Sequence, residues 1–142
     1  MLDLSKESQE FGAYLSGWLD GLPTGKAADV FAKPGKVAVI SVDLIKGFCT
    51  IGPLASPRVN SIVPAVAALF RLAYDRGVRA LAFAQDTHEP DAEEFAAWPP
   101  HCVRGTAESE TADELKALPF FKEIDIFEKN SIDSAEFTGL DA

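Results

Sequence analysis

The two histidines of the 142-residue chain fall in one short stretch, which reads Asp86-Thr87-His88, then Glu94, then Trp98-Pro99-Pro100-His101. In an extended chain, residues i and i+2 project to the same side, so Asp86 and His88 can grip one ion from the end of a strand. Glu94 and His101 would close the shell from the loop that follows. Mixed carboxylate and imidazole donors suit a borderline divalent ion such as Zn, Fe or Mn. An ion with open positions would polarise a ring nitrogen or carbonyl of a small-molecule substrate. Asp-x-His is a short pattern, however, and an acidic loop carrying two ordinary histidines has the same sequence.

Asp43 and Lys129 each close an apolar run. A carboxylate in such a place is costly unless paired or hydrogen-bonded. Asp43 is therefore either a general base or a loop cap paired with Lys46. Lys129 either pairs with Asp43 across the sheet edge, where it would hold a thiolate and orient a proton transfer, or is solvated as most lysines are. A catalytic cysteine needs an activating base or cation. Cys49 and Cys102 read instead as small packed residues near the site. They do not form a CxxC pair, which argues against a zinc ribbon, and in an acidic soluble chain they are expected to stay reduced.

The elements that must position these groups follow from periodicity. Residues 5–20 carry Phe11, Leu15, Trp18 and Leu19 on one helical stripe, closed by Gly21 and Pro23. This arm, with the loop after it, is expected to occupy 1–35 and to pack on a main domain at 36–142. Val37–Val42 is apolar and β-branched, the pattern of a strand buried on both faces of a parallel sheet. A helix is expected over 57–76, with Pro64 near its start and Gly77 at its stop. A second strand over 78–84 leads to Asp86. A short helix over 111–118 has Thr111 and Glu114 at capping-box spacing. A third strand over 124–127 leads to Lys129. This alternation predicts an α/β fold with a parallel sheet flanked by helices. In such sheets ligands bind beyond the carboxyl ends of the strands, where Asp43, Asp86, His88 and Lys129 all fall.

Composition narrows the function classes. With 47% hydrophobic residues the chain can build a core, and its formal charge of −9 disfavours nucleic acid and anionic membrane as partners. No apolar stretch approaches the roughly 20 residues of a membrane helix. No basic region followed by an apolar one opens the chain, so a cytoplasmic location is expected.

Three segments carry a family resemblance. Val-Asp-Leu-Ile-Lys-Gly-Phe-Cys at 42–49 resembles the first-strand motif of isochorismatase-like cysteine hydrolases, usually Val-Asp-x-Gln-Asn-x-Phe. Asp86-Thr87-His88 with Trp98-Pro99-Pro100-His101-Cys102-Val103-x-Gly105-Thr106 resembles the metal loop of the nicotinamidase type within that family. Lys129 followed by Asp133-Ser134-Ala135-Glu136-Phe137 resembles the third-strand motif. The resemblance runs from about 37 to 139.

The resemblance implies a Rossmann-like three-layer fold, of which this chain carries the first three strands. It implies an Asp-Lys-Cys triad with Asp43 and Lys129 as its first two members. The thiolate would attack the amide of a small, aromatic or heteroaromatic substrate, releasing ammonia and then the acid. It further implies a metal held by Asp86, His88, Glu94 and His101, a ring walled by Phe48 and Trp98, and a homo-oligomer. The metal loop favours the amidase branch over isochorismatases proper, which lack it. Ile45-Lys46 replaces the usual Gln-Asn, an altered pocket. The family's nucleophilic cysteine follows a fourth strand, so it is expected beyond residue 142 and the chain alone is expected to be inactive. The alternatives are a non-catalytic metal- or ligand-binding relative, or an isochorismatase-type hydrolase of another small molecule.

Overall fold

The computed structural model describes residues 3–134 and 138–140 and divides into two units, Met1–Ala32 and Lys33–Ala142. Ala135-Glu136-Phe137 of the third motif lies outside the described residues.

In the first unit, α1 (Leu4–Asp20) is capped by Asp3, whose carboxylate accepts from the backbone N–H of Ser5 and Lys6. None of its residues is buried, and the stripe with Phe11 and Trp18 lies exposed. A single turn, α2 (Ala27–Val30), follows.

In the second unit, β1 (Ala38–Val42), β2 (Ala80–Asp86) and β3 (Asp125–Lys129) form one parallel sheet in the order β1-β2-β3. The register pairs Val42 with Ala84 and Asp86 with Lys129, so the strands end nearly level. Between β1 and β2 lie α3 (Lys46–Cys49), α4 (Pro57–Asn60) and α5 (Val63–Asp75). The helix expected over 57–76, with a start at about Pro64, is thus two, and the longer of them begins at Val63. Pro64 sits in the first turn of α5, where its missing N–H costs nothing. Gly77, at φ +90°, turns the chain into β2, a conformation open to glycine at little cost. Between β2 and β3 runs α6 (Asp113–Lys116).

The core lies under one face of the sheet. Phe70 and Ala67 of α5 are fully buried, and the Phe70 ring meets Phe83 of β2 at 5.0 Å between centroids. On the other face Ile40 and Val42 are 47% and 52% exposed. The expectation that β1 is buried on both faces is therefore wrong for the described residues. β1 is an edge strand, and only the Val39–Ser41 side of it faces inward.

The capping box at 111–114 does not form. Thr111 Oγ1 donates instead to Gln85 Oε1 at 2.7 Å, and Ala112 occupies the N-cap of α6. Burial decides this, because Gln85 and Thr111 are both inside and each needs a polar partner. Among the described residues no helix is long and apolar enough to cross a membrane.

Candidate metal and acid-base site

The carboxyl ends of all three strands contribute to one cluster. The tight turn after β1 holds Asp43 at φ +59°, a left-handed conformation that Asp tolerates better than most residues. Its backbone N–H donates to Ala84 O at 2.9 Å, which continues the ladder by one residue. Its carboxylate then takes two partners: Oδ1 accepts from the backbone N–H of Asp86 at 2.9 Å, and Oδ2 lies 3.0 Å from Lys129 Nζ. Lys129 is 1% exposed and also donates to Asp86 Oδ1. Asp43, Lys129 and Asp86 thus close a three-membered ring of contacts, and the solvated reading of Lys129 fails. A buried ammonium needs such partners, and two strands bring them.

These contacts set the charge states. Burial pushes the Asp43 carboxyl above its ordinary value; the negative charge of Asp86 adds to this, and Lys129 offsets only part of it. Burial alone opposes the charge on Lys129, but Asp86 and Asp43 together outweigh it and raise its pKa above the ordinary value.

The second oxygen of Asp86 faces the other way. Oδ2 stands 3.4 Å from His88 Nε2 and 3.8 Å from His101 Nε2. Glu94 reaches both rings, with an oxygen at 3.8 Å from each Nε2. The structure therefore brings together all four residues that the sequence suggested as ligands. The loop is held in place by a parallel bridge between His88 and Val103, with His88 N–H donating to Cys102 O and Arg104 N–H to His88 O. His101 Nδ1 donates to Pro99 O at 2.9 Å, so its Nε2 is left as the free donor atom.

His88 is fully buried, yet neither ring nitrogen has a hydrogen-bond partner. Buried polar atoms are seldom left so, and a cation between His88, His101 and Asp86 would satisfy Nε2. The donor set, one or two carboxylates with two imidazoles, fits a borderline divalent ion.

Aromatic rings surround the cluster. Phe48 on α3 lies 5.7 Å from the His101 ring. Phe95, unforeseen in the sequence, stands 5.4 Å from His88 and 5.6 Å from His101. Its neighbour Glu94 was the only hint, since both sit in one 3-10 turn (Glu93–Ala96). Trp98, 53% exposed, lines a cavity of about 860 Å3 with Glu94, Glu89, Glu128, Arg104 and Asn130. Phe48 and Trp98 thus occupy different places, one against the imidazoles and one in the open cavity.

Neither cysteine resembles a thiolate. Both are buried; burial raises Cys49, and burial together with the charges of Asp86, Glu108 and Asp43 pushes Cys102 up to about 12. Lys46 does not serve Asp43. It pairs with Glu110 at 2.9 Å and Asp113 at 3.0 Å.

No family model matches the sequence. Nicotinamidase 1 of Arabidopsis thaliana is 37% identical over 95 residues, which cover 63% of this chain and 38% of that protein. The N-carbamoylsarcosine amidase of Thermoplasma acidophilum superposes with a TM-score of 0.65 at 26% identity, over 73% of this chain and 57% of the other. An isochorismatase-like hydrolase of Alkaliphilus metalliredigens gives 0.64 at 25%, over 73% and 57%. The pyrazinamidase of Pyrococcus horikoshii, solved in complex with zinc, gives 0.61 at 26%, over 72% and 60%. The chain spans well under two thirds of each of these proteins. Over that span, in fold and in sequence, it resembles the isochorismatase-like hydrolases of the nicotinamidase type.

Proposed function

We propose that this chain supplies the metal-binding and acid-base part of an amidase that hydrolyses a small, uncharged heteroaromatic amide to the acid and ammonia. The observation that carries this reading is the divided Asp86 carboxylate, one oxygen on the Lys129–Asp43 pair and the other on the two imidazoles. Asp86, His88, Glu94 and His101 would hold the ion, and when bound it supplies a Lewis acid for a ring nitrogen of the substrate.

The other groups act on protons and position. Asp43, with its raised affinity for a proton, takes the proton of a cysteine thiol supplied from outside these 142 residues. Lys129 stays charged beside it and favours the thiolate. The sulfur then bonds to the amide carbon, the C–N bond breaks, and Asp43 returns the proton to the leaving nitrogen as ammonia forms. Water releases the acid and restores the thiol. Phe48, beside the His101 ring, walls the ring of the substrate, and Trp98 lines the open cavity on the Glu94 side. High burial at Cys49 and Cys102 supports a nucleophile elsewhere, because a desolvated thiol is a poor one. A homo-oligomer in the cytoplasm completes the proposal.

The test is ammonia release from nicotinamide and pyrazinamide by the protein isolated from its native source. Iodoacetamide and a chelator should each abolish turnover, and Asp43→Asn should lower kcat by at least about 100-fold. Hydrolysis that survives alkylation, or no hydrolysis of either amide, would overturn the reading.

A further inference from the structure

The ligand His101 sits on a loop whose next residue is strained. Cys102 has φ +47°, a left-handed backbone that costs a non-glycine residue about 1 kcal/mol. Such a conformation persists only where the surroundings over-determine it. Two contacts do so here. Cys102 O accepts from His88 N–H at 3.0 Å, and Cys102 N–H donates to Glu108 Oε2 at 3.1 Å. The first ties the strained residue to one imidazole-bearing strand end. The second ties it to a carboxylate that nothing in the metal or acid-base chemistry uses.

Glu108 has a built seat. It lies in a 3-10 turn (Ala107–Ser109), and its carboxylate rests against Gly52, which has φ +90°. A Cβ on Gly52 would stand 2.6 Å from both Cδ and Oε2 of Glu108. A Cβ on Gly47 would stand 2.5 Å from Cys102 Sγ and 3.0 Å from Glu108 O. The loop after β1 is therefore cut away at two glycines, one to admit the Glu108 carboxylate and one to admit the Cys102 thiol. Gly47 belongs to α3, which also carries Phe48 against the His101 ring.

We propose that Glu108 is a positioning residue for the metal centre: seated on Gly52, it holds the Cys102 backbone in its left-handed conformation and thereby aims His101 at the ion. This rests on the metal reading above, and it adds a residue outside the ligand set. The group that matters is an acceptor oxygen at a fixed reach, so glutamine serves and alanine does not.

The experiment is a cobalt(II) titration of the full chain, followed by visible absorption, with amide hydrogen exchange measured at Cys102 in the metal-free protein. Glu108→Gln should bind Co(II) within about twofold of the parent, and Glu108→Ala about tenfold or more weaker, the range for groups that orient ligands. Gly52→Ala, which pushes the Glu108 carboxylate out of its seat and also strains a backbone at φ +90°, should weaken binding as well. Exchange at Cys102 should quicken in Glu108→Ala and stay slow in Glu108→Gln. Where Glu108→Ala does not fold, Glu108→Asp, one methylene short, should show the same losses. Glu108→Ala binding like the parent, or Glu108→Gln falling as far as alanine, overturns the proposal. A parent chain that binds no Co(II) sinks the metal reading instead, and Cys102 exchange then decides the role of Glu108 alone.

Discussion

At the scale of single residues, the site depends on buried groups whose charge is set by neighbours. Removing either imidazole of the His88–His101 pair leaves a carboxylate-rich remnant with few donor atoms. His88→Ala or His101→Ala should weaken Co(II) binding by at least about tenfold, read by the same titration. The thiols give a pH prediction. Cys102 keeps its proton to about 12 in the folded chain and to about 9 when unfolded, and Cys49 is raised in the same sense. Between those values the folded chain binds more protons than the unfolded one, so stability falls as pH rises above about 9. The unfolding free energy read from urea titrations should drop between pH 8 and pH 10 by about 1 kcal/mol for Cys102. Cys102→Ala should flatten that slope. An unchanged slope would mean that this thiol ionises in the folded state.

At this scale the sequence was informative about type and poor on state. Four ligand candidates could be named because both histidines fall in one stretch beside Asp86 and Glu94. Lys129 could not be told from a solvated lysine, because its burial depends on Asp43 and Asp86 arriving from two other strands. Phe95 and Glu108 were invisible for a related reason. Neither residue type is unusual in a loop, and only the folded chain puts one against the imidazoles and the other against Cys102 N–H.

At the scale of elements, α5 anchors the sheet that lines up the three strand ends. Phe70 is fully buried against Phe83, so Phe70→Ala should cost about 3–5 kcal/mol in chemical denaturation. Leu69→Ala on the open side of the same helix should cost far less. Gly77→Ala should destabilise by about 1 kcal/mol, through the left-handed backbone rather than through crowding, since Pro34 leaves ordinary space there. Strand existence was legible in short β-branched apolar runs, and the parallel order followed from their alternation with helices. Burial of both faces was not, because periodicity cannot say which strand becomes an edge. Nor could sequence spacing show that Thr111 would turn to Gln85 instead of capping α6.

At the scale of the whole molecule, ion binding and folding are linked. The proposed ligands come from β2 and the loop after it, and the contacts that orient Asp86 come from Asp43, just past β1, and from Lys129 of β3. An unfolded chain has no such arrangement, so any ion bound stabilises the fold by mass action. At an ion concentration 100 times Kd the gain is about 2.7 kcal/mol. The melting temperature of the chain should therefore rise with added zinc and return with a chelator. A temperature indifferent to both would show that the cluster does not hold the ion in the folded state.

Asp86 has two oxygens and no spare. Asparagine would offer an amide nitrogen to one side or the other, which repels either the lysine or the ion. Glutamate would carry both oxygens a methylene outward, away from the backbone N–H that meets Asp43. On the proposed reading, position 86 is thus a single point of failure for two kinds of chemistry. A protein that abandoned one of them, keeping only the ion or only the proton relay, would free this position to vary, and the residue found there would reveal which was kept.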